Sequence, residues 1–288
     1  VLVNYEDHIT PDQLSEYDDG ANALTRLKSL PPRFRADGLQ VSQHTVRSAD
    51  GEAVPYFVIH RKGLKLDGST PTILYGYGGF EISLKPSYSA TIGKLWLERG
   101  GAYAVANIRG GGEFGPRWHK SALKTNRQRA YNDFIAVAED LAKRGIASPK
   151  RLGISGGSNG GLLVGAIFTQ RPDLMNAVVC RVPLLDMLRY SKLLAGASWV
   201  GEYGDPEDSI MREAILKYSP YQNMFPGRKY PKVFIETSTK DDRVHPGHAR
   251  KMVARMREQG HPVLYFENTE GGHAAGANLK QHARRYAL

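Results

Sequence analysis

The segment from Leu152 to Phe168 places the strongest constraint on what this chain can fold into. It begins with a short apolar stretch, passes through a turn crowded with glycine and serine, and ends in an apolar run of helix-forming composition. A serine at the tip of a sharp turn from strand to helix needs small neighbours, and glycines at 156, 157, 160 and 161 meet that requirement. The segment therefore predicts that Ser158 lies on a strained turn between a strand and a helix.

The turn Gly156-Gly157-Ser158-Asn159-Gly160 matches Gly-x-Ser-x-Gly, the nucleophile elbow of α/β-hydrolases. A helix that begins at such a turn directs its first backbone amides toward any oxyanion that forms on a substrate. A glycine- and serine-rich loop without chemistry is the alternative that five residues alone leave open. The rest of the chain favours the elbow.

Short apolar stretches alternate with helical patterns over most of the chain. The predicted strands are 72–75, 103–108, 152–155, 177–181, 233–236 and 263–266, and the clearest helices are 132–143 and 247–258. Asn132 or Asp133 is expected to cap the first of these helices. The alternation predicts an α/β fold: a doubly wound, mostly parallel sheet with helices on both faces.

The first 45 residues differ from the remainder because short strand-like pieces are separated by Asp, Gly and Pro. We therefore expect a short β segment over residues 1–45 and an α/β-hydrolase domain over residues 46–288. Residues 40–46 and 53–59 alternate in polarity on either side of a turn, which predicts a pair of adjacent strands.

Composition limits the other functions that the chain could have. No apolar run reaches the roughly 20 residues of a membrane-spanning helix, and no signal peptide is visible, so neither a membrane partner nor secretion is expected. The net charge of +10 is dispersed, which argues against a nucleic-acid partner. The single cysteine, Cys180, excludes internal disulfides and lies in an expected buried strand. The cytoplasm is favoured, and the periplasm stays open if a signal precedes this sequence.

Two further residues complete a candidate catalytic triad in the chain order serine, acid, histidine. An acidic turn follows the strand at 233–236 and offers Asp241 or Asp242, between which spacing does not decide. His273 follows the last predicted strand, among small residues. Imidazole can take the proton of Ser158 and return it to the leaving group, and a carboxylate orients the imidazole.

Five segments together resemble the catalytic domain of the prolyl oligopeptidases, serine peptidases that cleave short peptides after proline. They are LYGYGGFEIS (74–83), VANIRGGGEFGPRWHK (105–120), GGSNGGLL (156–163), KDDRVHP (240–246) and GGHAAG (271–276). The resemblance covers roughly residues 46–288. It implies that Asp241 is the triad acid, and that the Tyr77 hydroxyl and the Asn159 backbone amide form the oxyanion hole.

The resemblance also implies a substrate-binding pocket for a proline ring. Arg243 matches an arginine that binds a substrate carbonyl, and Trp199 matches a tryptophan that stacks on the ring. The other implied walls are Phe80, Leu184, Tyr203 and Val244. Leu184 stands where the family has a smaller apolar residue, which would narrow the pocket.

The function implied is hydrolysis of short peptides on the carboxyl side of proline through an acyl-enzyme, without a metal or other cofactor. The family also implies contact with a β-propeller domain, which this sequence does not contain. Residues 1–45 resemble the end of the last propeller blade with the linker that follows it, so they are interpreted as a remnant of that domain. Two alternatives stay open: an esterase or acyl-peptide hydrolase that uses the same triad, and an inactive fragment or interaction module that lacks its propeller.

Overall fold

The computed structural model describes residues 1–274 and 276–287. The strands are β1 (Leu2–Tyr5), β2 (Gln13–Asp18), β3 (Ala23–Ser29), β4 (Leu39–Arg47), β5 (Ala53–Arg61), β6 (Thr72–Tyr75), β7 (Ala102–Ala106), β8 (Leu152–Gly157), β9 (Ala177–Arg181), β10 (Lys232–Ser238) and β11 (Val263–Asn268). The helices are α1 (Ala90–Ile92), α2 (Pro116–Lys120), α3 (Gln128–Lys143), α4 (Asn159–Gln170), α5 (Val200–Tyr203), α6 (Ser209–Tyr218), α7 (Gly247–Glu258) and α8 (Leu279–Ala287).

The strands form two sheets. β1, β2 and β3 make a small antiparallel sheet, and the other eight strands form one large sheet in the order β11-β10-β9-β8-β6-β7-β5-β4. β7, β6, β8, β9, β10 and β11 run parallel to one another, whereas β5 pairs antiparallel with both β7 and β4. The predicted mostly parallel sheet is confirmed, and so is the predicted pairing of residues 40–46 with 53–59.

Helices cover both faces of the large sheet. α3, α4 and α7 pack on the face that carries Leu74, Ile154 and Val178, and their apolar side chains join one continuous core. α4 is buried along nearly its whole length because it is apolar on all sides. On the other face, α1 continues into a π-helical turn, Gly93–Leu97, and α8 lies across the cleft beside it. No helix among residues 1–274 and 276–287 has the length and apolarity to cross a membrane.

The sole cysteine occupies the centre of this core. Cys180 lies in β9 with none of its surface exposed, and its Sγ donates to the carbonyl of Gly161 at 3.3 Å. Burial raises the pKa of the thiol well above its ordinary value. The residue is therefore the buried strand cysteine that the sequence predicts, held in its protonated form.

The structure differs from the sequence predictions at several boundaries, and β7, predicted to extend to residue 108, ends at Ala106. α3 begins at Gln128, four residues before the predicted cap at Asn132, and Asp133 is a buried residue in the helix interior. There its carboxylate accepts hydrogen bonds from the backbone and side chain of Arg109. The expected division between residues 45 and 46 falls inside β4, all of whose residues pair with β5 in the large sheet.

Candidate active site

Ser158 lies at the turn between β8 and α4, as the sequence predicts. It caps the N-terminus of α4 with φ 59° and ψ −119°, a conformation that few residues with a side chain adopt. Its backbone N–H donates to the carbonyl of Arg181 on β9 at 2.9 Å, so the sheet holds the turn in place. The backbone of Ser158 is therefore anchored to the sheet at the carboxyl end of β8.

Close backbone contacts explain most of the glycines around Ser158. A Cβ on Gly156 would lie 2.1 Å from the carbonyl oxygen of Gly160, and a Cβ on Gly160 would lie 2.8 Å from that of Gly76. Gly161 is equally confined, with Arg181 at 2.8 Å. Gly157 differs, since the nearest atom to its added Cβ is 3.6 Å away, an ordinary contact. The sequence interpretation was therefore right for three of the four glycines, and sterics do not require the fourth.

Parallel strands bring the predicted catalytic residues to one edge of the sheet. Tyr77 follows β6, Ser158 follows β8, Asp241 follows β10 and His273 follows β11. All four strands point the same way, so these residues lie beyond their carboxyl ends, where open α/β sheets bind ligands. Chain segments that are distant in sequence thus supply one site.

Asp241 and His273, the predicted acid and base, lie within hydrogen-bonding distance of each other. The His273 Nδ1 lies 2.8 Å and 3.0 Å from the two carboxylate oxygens of Asp241. An ionised carboxylate only accepts hydrogen bonds, so Nδ1 carries the proton and Nε2 is left as the basic nitrogen.

Two backbone N–H groups also hold the Asp241 carboxylate in place. Its side chain is fully buried, and its Oδ1 accepts the backbone N–H groups of Arg243 and Val244 at 3.0 Å and 2.9 Å. Asp242, the residue that spacing did not separate from it, is exposed. These contacts single out Asp241 as the partner of His273.

The phenol of Tyr77 adjoins the Ser158 hydroxyl. Burial raises the pKa of Tyr77 above its ordinary value, while the neighbouring Ser158 hydroxyl and the charge of Arg243 lower it in part. The phenol therefore stays protonated near neutral pH and can donate a hydrogen bond. A fixed donor beside the nucleophile is suited to stabilising an oxyanion as it forms.

The residues predicted to bind substrate separate into two groups by exposure. Phe80 and Trp199 are half-buried and Arg243 is exposed, so all three can meet a ligand from solvent. The other three are almost fully buried, at 2% exposure for Leu184, 0% for Tyr203 and 2% for Val244. Their assignment to the pocket stays a prediction.

Two contacts connect these substrate-binding candidates. The rings of Phe80 and Tyr203 pack edge to face with centroids 5.7 Å apart. The Arg243 carbonyl accepts the N–H of Ala195 at 3.3 Å, which joins the acid loop to the helical turn ending at Trp199. The acid loop and the Trp199 segment are therefore neighbours at the site.

Two buried charged residues next to the elbow were not predicted. Arg127, 1% exposed, reaches the side chain of Asn159, and Glu202, 5% exposed, lies against Arg127. Arg127 follows Lys124 in a polar stretch that is typical of a solvated surface, so its sequence context hides its burial. Glu202 lies between Trp199 and Tyr203, and only this proximity could have drawn attention to it.

Comparison with known proteins agrees with this geometry. A family model described as "Prolyl oligopeptidase family" matches residues 86–288. An uncharacterized peptidase of Sinorhizobium fredii is 58% identical over 288 residues, covering 100% of this chain and 40% of that protein. A prolyl endopeptidase of Elizabethkingia miricola is 42% identical over 282 residues, covering 96% of this chain and 40% of the relative.

A solved structure of a post-proline cleaving enzyme from Rickettsia typhi superimposes with a TM-score of 0.92 at 43% identity. That match covers 99% of this chain and 41% of the other. The chain thus spans about two fifths of the length of the proteins it resembles. Because the family model matches most of its length, the chain belongs to the prolyl oligopeptidase family.

Proposed function

We propose that this chain is the catalytic part of a serine peptidase that hydrolyses short peptides on the carboxyl side of proline. The observation that carries the proposal is the pairing of His273 with the buried Asp241 at the sheet edge that presents Ser158. The printed names of relatives, prolyl endopeptidase and post-proline cleaving enzyme, support the preference for proline.

In the proposed reaction, the Ser158 oxygen attacks the carbonyl carbon of the peptide bond while His273 Nε2 takes the hydroxyl proton. Asp241 keeps the imidazole in the required tautomer and stabilises its charged form. The Tyr77 hydroxyl and the Asn159 amide donate to the carbonyl oxygen as it becomes negative. His273 then protonates the leaving amine. Water next attacks the acyl carbon while His273 Nε2 takes a proton from it, and His273 returns that proton to the Ser158 oxygen as the bond to the acyl group breaks.

Phe80 and Trp199 supply accessible aromatic surface for a pyrrolidine ring, which is apolar and fixed in shape. Arg243 is exposed beside the acid loop and can bind a substrate carbonyl through a charge-assisted hydrogen bond. We assign Leu184, Tyr203 and Val244 to the layer behind this surface, in keeping with their burial.

The test is hydrolysis of a blocked glycyl-prolyl anilide by the wild-type chain and by Ser158→Ala. We expect turnover of the prolyl anilide that exceeds turnover of the alanyl analogue and disappears in the variant. Ser158-dependent turnover of a short-chain ester without a proline preference would instead support the esterase alternative. A folded chain with no Ser158-dependent turnover of either substrate would contradict the proposal and favour an interaction module.

We further propose that the loops at the carboxyl ends of the parallel strands, where Ser158 lies, contact a propeller domain in the longer proteins of this family. Exposed apolar side chains lie on loops that follow the parallel strands: Ile82 at 47%, Phe114 at 61% and Leu194 at 52% exposure. Such a group suits a domain interface better than open solvent.

If a propeller restricts access in the longer proteins, this chain alone should cleave unfolded casein as readily as a short prolyl peptide. Failure to cleave casein would count against the proposal.

A further inference from the structure

The side chain of Asn159 connects the two groups assigned to the oxyanion hole. Its Nδ2 donates to the backbone carbonyl of Tyr77 at 2.6 Å, and its own backbone N–H is the amide donor. Gly79 approaches so closely that an added Cβ would lie 2.6 Å from the same Nδ2. One side chain therefore fixes the distance between the segment that carries the phenol and the first turn of α4.

Arg127 holds the other end of that side chain. Its Nη2 donates to the Asn159 Oδ1 at 2.6 Å, and the hydroxyl of Tyr203 donates to the same oxygen at 2.8 Å. Two donors at Oδ1 leave the amide only one orientation, with Nδ2 toward Tyr77. The rings of Tyr131 and Tyr203 lie 5.8 Å and 5.3 Å from the guanidinium carbon. Arg127 thus has little freedom to move.

Glu202 balances the buried charge and holds the segment that carries the phenol from a second side. Its Oε1 accepts from Arg127 Nη1 at 2.9 Å and from the Phe80 backbone N–H at 3.0 Å, while His119 Nε2 lies 2.7 Å from Oε2. Phe80 and Glu81 have φ of 57° and 59°, values that need support from their surroundings. Arg127 and Glu202 therefore contact both parts of the proposed oxyanion hole: Arg127 contacts Asn159, and Glu202 contacts the segment that carries Tyr77.

Stability alone does not account for a buried ion pair here. Removing a guanidinium and a carboxylate from water is costly, and apolar residues of similar volume are often at least as stable. We propose that Arg127 is a positioning residue for the oxyanion hole, acting through Asn159 with Glu202 as its counter-ion. The inference rests on the acyl-transfer chemistry proposed at Ser158, and it does not depend on a preference for proline.

The experiment measures the second-order rate at which an alkyl fluorophosphonate modifies Ser158, followed by intact mass. Phosphonylation also places negative charge in the oxyanion hole, so it needs no peptide turnover. We expect Arg127→Met to slow labelling by about 10- to 100-fold, since small displacements of catalytic donors cost factors of this size. Arg129→Met is the matched control, because Arg129 lies two residues away in the first turn of α3 and is exposed, and its rate should equal that of the wild type.

Arg127→Met leaves the buried Glu202 without its guanidinium counter-ion, which can unfold the chain. The double variant Arg127→Met/Glu202→Gln removes both charges, and a cooperative thermal transition identifies the folded sample. We expect labelling of this folded variant to be slowed by at least tenfold. A rate equal to that of the wild type would overturn the inference.

A change that acts only on general stability would slow labelling to the same extent in any background. In chains that already carry Tyr77→Phe, we expect the factor caused by Arg127→Met to shrink to less than threefold, because one of the donors it positions is gone. Equal factors in the two backgrounds would overturn the inference. If the wild-type chain is labelled at Ser158 but cleaves no prolyl substrate, the proposed function is contradicted. The labelling rates of the Arg127 variants still test the positioning role in that case.

Discussion

At the scale of single residues, the contacts of Asp241 distinguish its role from that of its neighbour. Its carboxylate is fully buried and receives two backbone N–H groups in addition to the imidazole of His273. Three donors hold the carboxylate in one position. Asp242 shares its chemistry but not these surroundings, since it is exposed on the same turn.

The two neighbouring carboxylates allow a matched substitution. Asp241→Asn keeps the shape of the side chain but can favour the wrong tautomer of His273, so we expect kcat to fall by about 10⁴-fold. Asp242→Asn should change kcat by less than threefold. Steady-state kinetics on the best substrate found for the wild type measure both. Equal losses in the two variants, or a loss only in Asp242→Asn, would contradict the assignment of the triad acid.

At the scale of elements, the turn between β8 and α4 depends on close contact between backbones. Gly156 and Gly160 allow this approach, and Ser158 between them adopts a positive φ. The core helix α4 and the central strand β8 can then pack without a longer connection. The position of Ser158 is therefore set by the way in which β8 and α4 meet.

A pair of glycines in the same strand tests this steric requirement. Gly156→Ala would place a Cβ 2.1 Å from a carbonyl oxygen, and we expect the free energy of unfolding to fall by about 1–3 kcal/mol through overpacking. Gly153→Ala meets nothing closer than 3.8 Å and should change that free energy by less than about 1 kcal/mol. Urea denaturation compares the two. Similar values for both variants would show that the turn does not need this close approach.

At the scale of the whole molecule, buried polar groups hold distant parts of the chain together. Arg109 after β7 bonds to Asp133 in α3 and to Asp50 in the turn between β4 and β5. His248 in α7 accepts the backbone N–H groups of Leu185 and Asp186 through Nδ1, at 3.2 Å and 3.1 Å. Because some of these buried groups titrate, they make the free energy of unfolding depend on pH, whereas the apolar core does not.

His248 predicts a specific dependence of stability on pH. Burial lowers its pKa to about 4, against 6.5 for an ordinary histidine, so between these values the unfolded chain binds more protons than the folded one. This contribution is fully present above pH 6.5 and is lost as the pH falls toward 4. From pH 7 to pH 5 we expect a loss of about 2 kcal/mol in the free energy of unfolding.

The control for this effect is His248→Asn, whose side-chain oxygen can accept the same two amides without titrating. Urea denaturation of wild type and variant at pH 7 and pH 5 gives the comparison. The variant should lose less stability than the wild type over this interval. An identical loss in the two proteins would mean that His248 titrates alike in the folded and unfolded states.

Much of this architecture could be predicted because its signals are local. Ser158 stands in a motif with a steric cause, and Asp241 and His273 follow apolar strands whose parallel order brings them to one edge. Asp133 illustrates the limit: a polar residue at the start of an apolar pattern suggests a cap, yet its partner Arg109 lies 24 positions upstream. The burial of Arg127 likewise depends on Glu202, far along the chain, and no local pattern contains that information.

The position of Cys180 gives the molecule an internal reporter. Its thiol lies between the large sheet and α4 and is hydrogen-bonded to the carbonyl of Gly161 in the first turn of α4. No other cysteine exists in the sequence. A disulfide reagent can therefore reach the sulfur only when α4 separates from the sheet next to Ser158. The rate of thiol exchange in the folded protein consequently measures how often this region opens, without any added label.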